Sequence, residues 1–222
     1  LGHGSSVPPS GSLGFFGHHN GWNVLVEDVA TLTDRVRKQW PDLPYFLLGH
    51  SMGSMIVRLY LTRYGDKVDG CILSGSPASY AMTGVGIQLT NSVIRSHGPM
   101  YRSGMLNHLV FGKFNSRIEN CETPFDWLTR DRSVVSLFQS DAKCNFIFTA
   151  SGFRDLLFLE QKCNRMSNIR KTPHNLPVLF LSGDADPVGN YGNGVKKIAA
   201  AYRAAGCRNI DVIFYKGGRH EI

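Results

Sequence analysis

Apolar residues recur at three- and four-residue steps between Asn20 and Trp40. Trp22, Leu25, Val29, Leu32 and Val36 form the stripe, with Glu27, Asp28, Asp34, Arg35 and Lys38 on the remaining surface. That spacing predicts an amphipathic helix, stopped by Pro41-Asp42-Leu43-Pro44. A short unbroken apolar run, Tyr45-Phe46-Leu47-Leu48, follows and reads as a buried strand. Ser54 to Tyr64 reads as the next helix, with Gly65 as its C-terminal stop. Val68 to Ser76 then reads as a second strand. The same alternation returns at Pro177: a strand at Val178–Ser182, a helix at Val195–Ala205 closed by Gly206, and a last strand at Ile210–Tyr215.

Between these two stretches the pattern changes. Ser79 to Thr172 carries many aromatics and helical stretches, at Ile87–Arg95, Ser133–Phe138 and Gly152–Met166, but no strand–helix alternation. It is too long for a plain loop and too apolar for a disordered linker. The expectation is therefore an α/β core made of residues 1–78 and 173–222, with residues 79–172 inserted as a helical cap, or lid. Strands alternating with helices imply right-handed crossovers and a mostly parallel sheet. In such a sheet, reactive residues belong at the carboxyl ends of strands.

At 222 residues the chain is long enough for one α/β domain with a sizeable core, and 42% hydrophobic residues is ordinary for a soluble globular protein. No apolar run approaches the length needed to cross a bilayer, and no secretory leader is visible. The chain opens at Leu1, without Met, inside loop-like sequence, and stops two residues after His220. It reads as a piece truncated at both ends. The five cysteines are odd in number and include no C-x-x-C pair, a usage that fits reduced thiols in a cytoplasmic protein. The net charge is +7, and residues 79–172 hold most of the excess, with 12 Lys and Arg against 7 Asp and Glu. A solvated basic surface is the plain explanation. Peripheral contact with an anionic membrane surface is the functional one, and no motif supports nucleic-acid binding.

The chemistry centres on Gly49-His50-Ser51-Met52-Gly53, placed between a predicted strand and a predicted helix. A serine on such a turn, with glycines two before and two after, is a nucleophile elbow. The glycines are expected where side chains would clash, and the first helical N–H groups face the reacting carbonyl. The bland alternative is a glycine-rich turn whose serine caps the helix. A serine hydroxyl needs a base and the base needs an orienting carboxylate. Of eight histidines, His220 lies just past the last strand behind two glycines. The acid is Asp186 or Asp184, at the end of the preceding strand; Asp186 is the favoured choice, and Asp184 has the alternative role of a turn residue. His50 is expected to pack. A metal site of His3, His18 and His19 lacks ligand spacing, and no cofactor is expected.

Taken together, Gly2-His3-Gly4-Ser5-Ser6, the elbow, Gly183-Asp184-Ala185-Asp186-Pro187-Val188 and Gly218-Arg219-His220 resemble the monoacylglycerol lipase and lysophospholipase-like branch of the α/β hydrolases, also known as the serine aminopeptidase S33 family. The resemblance implies an α/β-hydrolase fold, a mostly parallel sheet flanked by helices with an inserted helical cap. It implies Ser51 as nucleophile, Asp186 as acid, His220 as base, and the Met52 backbone N–H as one oxyanion donor. The second donor of that family comes from a His-Gly loop after an earlier strand. His3-Gly4 matches a later loop instead, so that donor is expected to be missing from this chain. The implied activity is hydrolysis of carboxylic esters, lipid-like acyl esters such as monoacylglycerols or lysophospholipids, with the apolar cap lining an acyl pocket. An aminopeptidase with Glu119, Glu122 and Asp126 around a substrate amine, an acyltransferase, and a non-catalytic binding protein on the same fold are the alternatives.

Overall fold

The computed structural model describes residues 2–7 and 11–222. Leu1, expected to start the chain inside a loop, lies outside the described residues. Gly4–Ser6 form one 3-10 turn within that loop. The chain then runs through α1 (Gly21–Gln39), β1 (Phe46–His50), α2 (Met52–Tyr64), β2 (Gly70–Ser74), α3 (Thr83–His97), α4 (Gly104–Phe111), α5 (Arg132–Ser140), α6 (Ala150–Cys163), α7 (Met166–Ile169), β3 (Val178–Gly183), α8 (Asn193–Ala204) and β4 (Ile210–Tyr215). It divides into two compact units: Leu1–Val24 with Tyr80–Phe158, and Leu25–Ser79 with Leu159–Ile222. Among the described residues no helix is long and apolar enough to cross a membrane.

The second of these is the sheet unit. Its strands lie in the order β1-β2-β3-β4, all parallel. The register pairs Leu48 with Ile72, Ile72 with Leu179, and Leu181 with Ile213. One face is buried under α2, packed on β1 and β2, and α8, packed on β3 and β4. Cys71, Leu73, Val178 and Phe180 of the strands and Met55, Tyr60, Ile198 and Tyr202 of the helices are all almost wholly buried, and the Phe180 and Tyr202 rings meet at a centroid distance of 5.7 Å. The other face is different. Phe46, Leu48, Ile213 and Tyr215 lie on it 46–67% exposed, with Ile72, Leu179 and Leu181 half-buried between them.

A buried cation ties the sheet unit's helices together. Arg58 on α2 is 1% exposed. Its Nη2 donates to the Cys163 carbonyl (2.9 Å) and to Asn164 Oδ1 (2.7 Å), and its Nε to the Tyr202 hydroxyl (3.4 Å). A buried guanidinium is tolerable only with such partners. The buried side of α1 differs from the predicted stripe. Leu25, Val26, Ala30 and Thr33 are buried, whereas Leu32 is 57% exposed. Thr33 can take an inward position because its hydroxyl donates to the Val29 carbonyl one turn back (2.9 Å).

In the other unit, α3, α4 and the start of α6 enclose Val93, Leu106, Ala150 and Phe153, with Phe111 and Phe148 packed around them. The eight-residue α4 escapes a periodicity search, since it is short and opens on glycine. Ser103 caps it, accepting from the Leu106 N–H (3.2 Å). The loop before α1 is strapped to α6. The Gly14 carbonyl accepts from Thr149 Oγ1 (3.0 Å) and the Thr149 amide (3.3 Å), and the His18 carbonyl accepts from Arg154 (2.8 Å). A Cβ at Gly152 would collide with the Gly14 carbonyl oxygen, so glycine is required for this approach. Asp155, also on α6, is fully buried, and neither carboxylate oxygen makes a hydrogen bond of ordinary geometry. Burial pushes its pKa up to about 6, against smaller downward pulls from the Trp22 amide, the Arg154 charge and the Gly21 amide.

Candidate active site

Ser51 follows β1 and precedes α2, with φ 53° and ψ −118°. A non-glycine residue at positive φ is uncommon, and a strained conformation of this kind needs surroundings that enforce it. Two contacts do so. The Ser51 N–H donates to the Ser74 carbonyl at the end of β2 (2.9 Å), and the Ser51 carbonyl accepts from the Ser54 hydroxyl (2.6 Å). A Cβ at Gly49 would stand 2.6 Å from the Gly53 carbonyl oxygen and 2.9 Å from Ser54 Cα, so a side chain there would break the turn. At Gly53 a Cβ would meet nothing within 4 Å. The clash expected at both glycines therefore holds for the first alone. Met52 opens α2, so its N–H belongs to the first turn, where amides have no partner within the helix.

Asp186 and His220 come together from the loops after β3 and β4. His220 Nδ1 lies 3.1 and 3.2 Å from the two Asp186 carboxylate oxygens. Asp186 Oδ1 also accepts from the Val188 N–H (2.9 Å), and both residues are at most 2% exposed. Asp184 takes another course: it is exposed, and its Oδ1 accepts from the Gly217 N–H (2.6 Å), tying the two loops to each other. Of the two aspartates, Asp186 is the one in contact with the imidazole. Ser51 and His220 reach the same short segment. Ser51 is bonded to Ser74, and His220 lies against Gly75.

His50 packs with its ring centroid 4.7 Å from that of His220, and its Nδ1 lies 3.3 Å from the Ser74 hydroxyl. Burial lowers its pKa to about 4, the His220 charge adds to this, and Asp186 opposes it. His50 is therefore neutral near pH 7. Burial also pushes the Cys71 thiol up to about 12 and Cys163 to about 11, which leaves both unreactive. His3 sits among the rings of Phe16, Phe146 and Phe148, at centroid distances of 5.5–5.8 Å. Among the described residues no group of His, Cys, Asp or Glu could hold a metal ion. In the helical unit, Glu122 pairs with Arg132, and Asp126 accepts from the Glu122 and Thr123 amides. Two of the three acidic residues considered for a substrate amine are thus engaged locally, and the third, Glu119, is exposed. Gly75 was not singled out in the sequence. Its only signal there is a glycine directly after a strand, in Ser74-Gly75-Ser76-Pro77.

The family model described as "Serine aminopeptidase, S33" matches residues 1–222. The chain belongs to this family. It is 30% identical over 167 residues to a monoglyceride lipase of Mus musculus, covering 74% of this chain and 48% of that protein. It is 28% identical over 209 residues to a monoacylglycerol lipase of Mycolicibacterium smegmatis, covering 92% of this chain and 65% of that one. The chain thus spans about half the length of the mouse relative and about two thirds of the mycobacterial one. Among solved structures, a thermostable carboxyl esterase from Bacillus coagulans, in complex with glycerol, superimposes with TM-score 0.92 at 30% identity over 100% of this chain and 71% of its own. A lipase in an open form gives 0.89 at 30% identity over 100% and 72%. The chain therefore has the α/β-hydrolase fold with a parallel sheet, and in structure it is similar to an esterase and a lipase.

Proposed function

We propose that this protein is a serine hydrolase that cleaves carboxylic esters, of the lipid-like acyl type represented by monoacylglycerols and lysophospholipids. The reading rests above all on the buried Asp186–His220 pair beside the strand end that also holds Ser51 in its strained turn. His220 takes the proton of the Ser51 hydroxyl as Oγ bonds to the ester carbonyl carbon. The carbonyl oxygen becomes an oxyanion, and the Met52 N–H donates to it. Asp186, bonded to Nδ1, holds the ring orientation and stabilises the imidazolium. His220 then gives its proton to the departing alcohol, leaving an acyl-Ser51 ester. Water, deprotonated by His220, attacks that ester; the Oγ–acyl bond then breaks, His220 returns the proton to Ser51 Oγ, and the acid leaves. The side chains supply every proton transfer, so the sequence of steps calls for no cofactor.

The monoglyceride and monoacylglycerol lipases among the relatives and the carboxyl esterase among the solved structures support an ester as the substrate. The local pairing of Glu122 and Asp126 gives the aminopeptidase reading no support. Residues 79–172 are proposed as the cap that selects the ester, and their basic excess as an attraction toward anionic interfaces.

Labelling with a fluorophosphonate probe tests the reading without presuming an acyl chain. The intact protein should label and should hydrolyse a short p-nitrophenyl ester. Ser51→Ala should abolish labelling and lower turnover on the order of 10⁴-fold or more. A Ser51→Ala variant that labels and turns over like the wild type would overturn it.

A further inference from the structure

Gly75 stands where β2 ends, with φ +56°, and its N–H donates to the Leu181 carbonyl of β3 (3.0 Å). The surroundings of its missing side chain are unusual for this molecule. A Cβ there would lie 2.8 Å from His220 Cε1, 3.0 Å from His220 Nδ1 and 3.1 Å from His50 Cε1. All three nearest atoms belong to imidazole rings. At Gly49 and Gly183, by contrast, the obstructing atoms are backbone. A side chain at those two positions would have to move the chain itself. A side chain at Gly75, besides the strain of its positive φ, would press first on the rings, and rings are the softer element.

The His220 imidazole is bounded on three sides. Asp186 holds its Nδ1 edge at 3.1–3.2 Å, the His50 ring stands at a centroid distance of 4.7 Å, and the Gly75 backbone closes the remaining side. An added methyl would press on Cε1 and Nδ1 together. The ring can yield only by tilting, which turns Nδ1 away from the carboxylate and displaces Nε2 at the opposite edge. A misplacement of about 1 Å in such a group typically costs on the order of 10²-fold in rate.

We propose that Gly75 is a positioning residue for His220: the absence of a side chain at the end of β2 seats the imidazole against Asp186 at the tilt that proton transfer requires. The proposal rests on the reading of Ser51, Asp186 and His220 as the reacting groups. It adds a residue that touches neither substrate nor reacting atoms on the ester and acts through the base.

The test is Gly75→Ala in the intact protein, with Gly98→Ala as its control. Gly98 also has positive φ (+85°), but a Cβ there would meet nothing within 4 Å. The control therefore carries the backbone strain without the contact. Gly75→Ala should lower kcat for a p-nitrophenyl ester about 10²-fold with KM changed less than about 2-fold. The low-field ¹H resonance of His220 Nδ1–H should shift or disappear, and the acid limb of the kcat/KM profile should move. Gly98→Ala should retain wild-type kinetics with a similar change in melting temperature. Gly75→Asn is the second variant, since asparagine tolerates positive φ better than alanine and brings the same Cβ. It should show the same kinetic loss. Wild-type kcat and an unmoved Nδ1–H resonance in a folded Gly75 variant would overturn the proposal, and so would failure of both Gly75 variants to fold, which would assign Gly75 to the fold. His220→Ala, run alongside, separates the two levels. If it labels with fluorophosphonate at the wild-type rate, the triad reading itself falls; if it is inert while folded Gly75 variants are normal, only the positioning role falls.

Discussion

Two buried ionisable side chains, Arg58 in the sheet unit and Asp155 in the helical unit, sit in different surroundings. In the sheet unit, Arg58 donates to three partners, and Asp186 accepts from an amide and meets an imidazole. In the helical unit, Asp155 is fully buried with neither oxygen in a hydrogen bond of ordinary geometry. Paired groups keep their charge in the interior because the partners replace lost water. Burial instead makes a carboxyl hold its proton longer, and at Asp155 it outweighs the Trp22 and Gly21 amides and the Arg154 charge to give a pKa of about 6. The Arg58 guanidinium therefore stays charged through modest changes of acidity, and the Asp155 carboxyl changes its protonation.

Removing Arg58 strikes the paired side of this contrast hardest. Arg58→Ala would leave the Asn164 carbonyl oxygen and the Tyr202 hydroxyl without their donor and open a cavity beside α2. A loss of about 3–5 kcal/mol in urea unfolding is expected. A loss under about 1 kcal/mol would mean the network is slack and the contrast false.

Asp155 is the next largest effect, and it depends on pH. Its folded-state pKa is raised, from an ordinary 3.8 to about 6. Below pH 4 the carboxyl is protonated in both folded and unfolded chains, and its contribution is fully present. As the pH rises from about 4 to about 6 the unfolded chain ionises first, and that stability is lost. The gap between Asp155→Asn and wild type should thus shift in favour of the variant by about 2–3 kcal/mol between pH 4 and pH 7. Parallel stability curves for the two proteins would show that Asp155 is ionised as easily in the fold as outside it. The smallest effect belongs to an ordinary neutral contact in the helical unit. Ser103→Ala removes the α4 cap and should cost about 1 kcal/mol, independent of pH, lowering the melting temperature by about 2–4 °C.

The strands were legible because each is a short apolar run bounded by Pro, Gly or Asp, and β4 was bounded at its observed ends. The elbow was legible in part for a similar reason: Gly49 meets atoms a few residues away in the chain and Ser51 is bonded to Ser54, although its second tie, to Ser74, comes from the next strand. The pairing of His220 with Asp186 over Asp184 was only half legible. Both aspartates share one loop, and only the fold shows which faces the imidazole. Gly75, Arg58 and Asp155 were beyond reach. Arg58 and Asp155 look like ordinary polar positions on amphipathic helices, and their partners come from residues far off in sequence. Leu32 shows the converse, an apolar residue counted into the stripe of α1 that ends up exposed, while Thr33 turns inward by bonding to its own helix.

The face of the sheet that carries Phe46, Leu48, Ile213 and Tyr215 gains from being covered: each Å² of apolar surface withdrawn from water there is worth about 25 cal/mol.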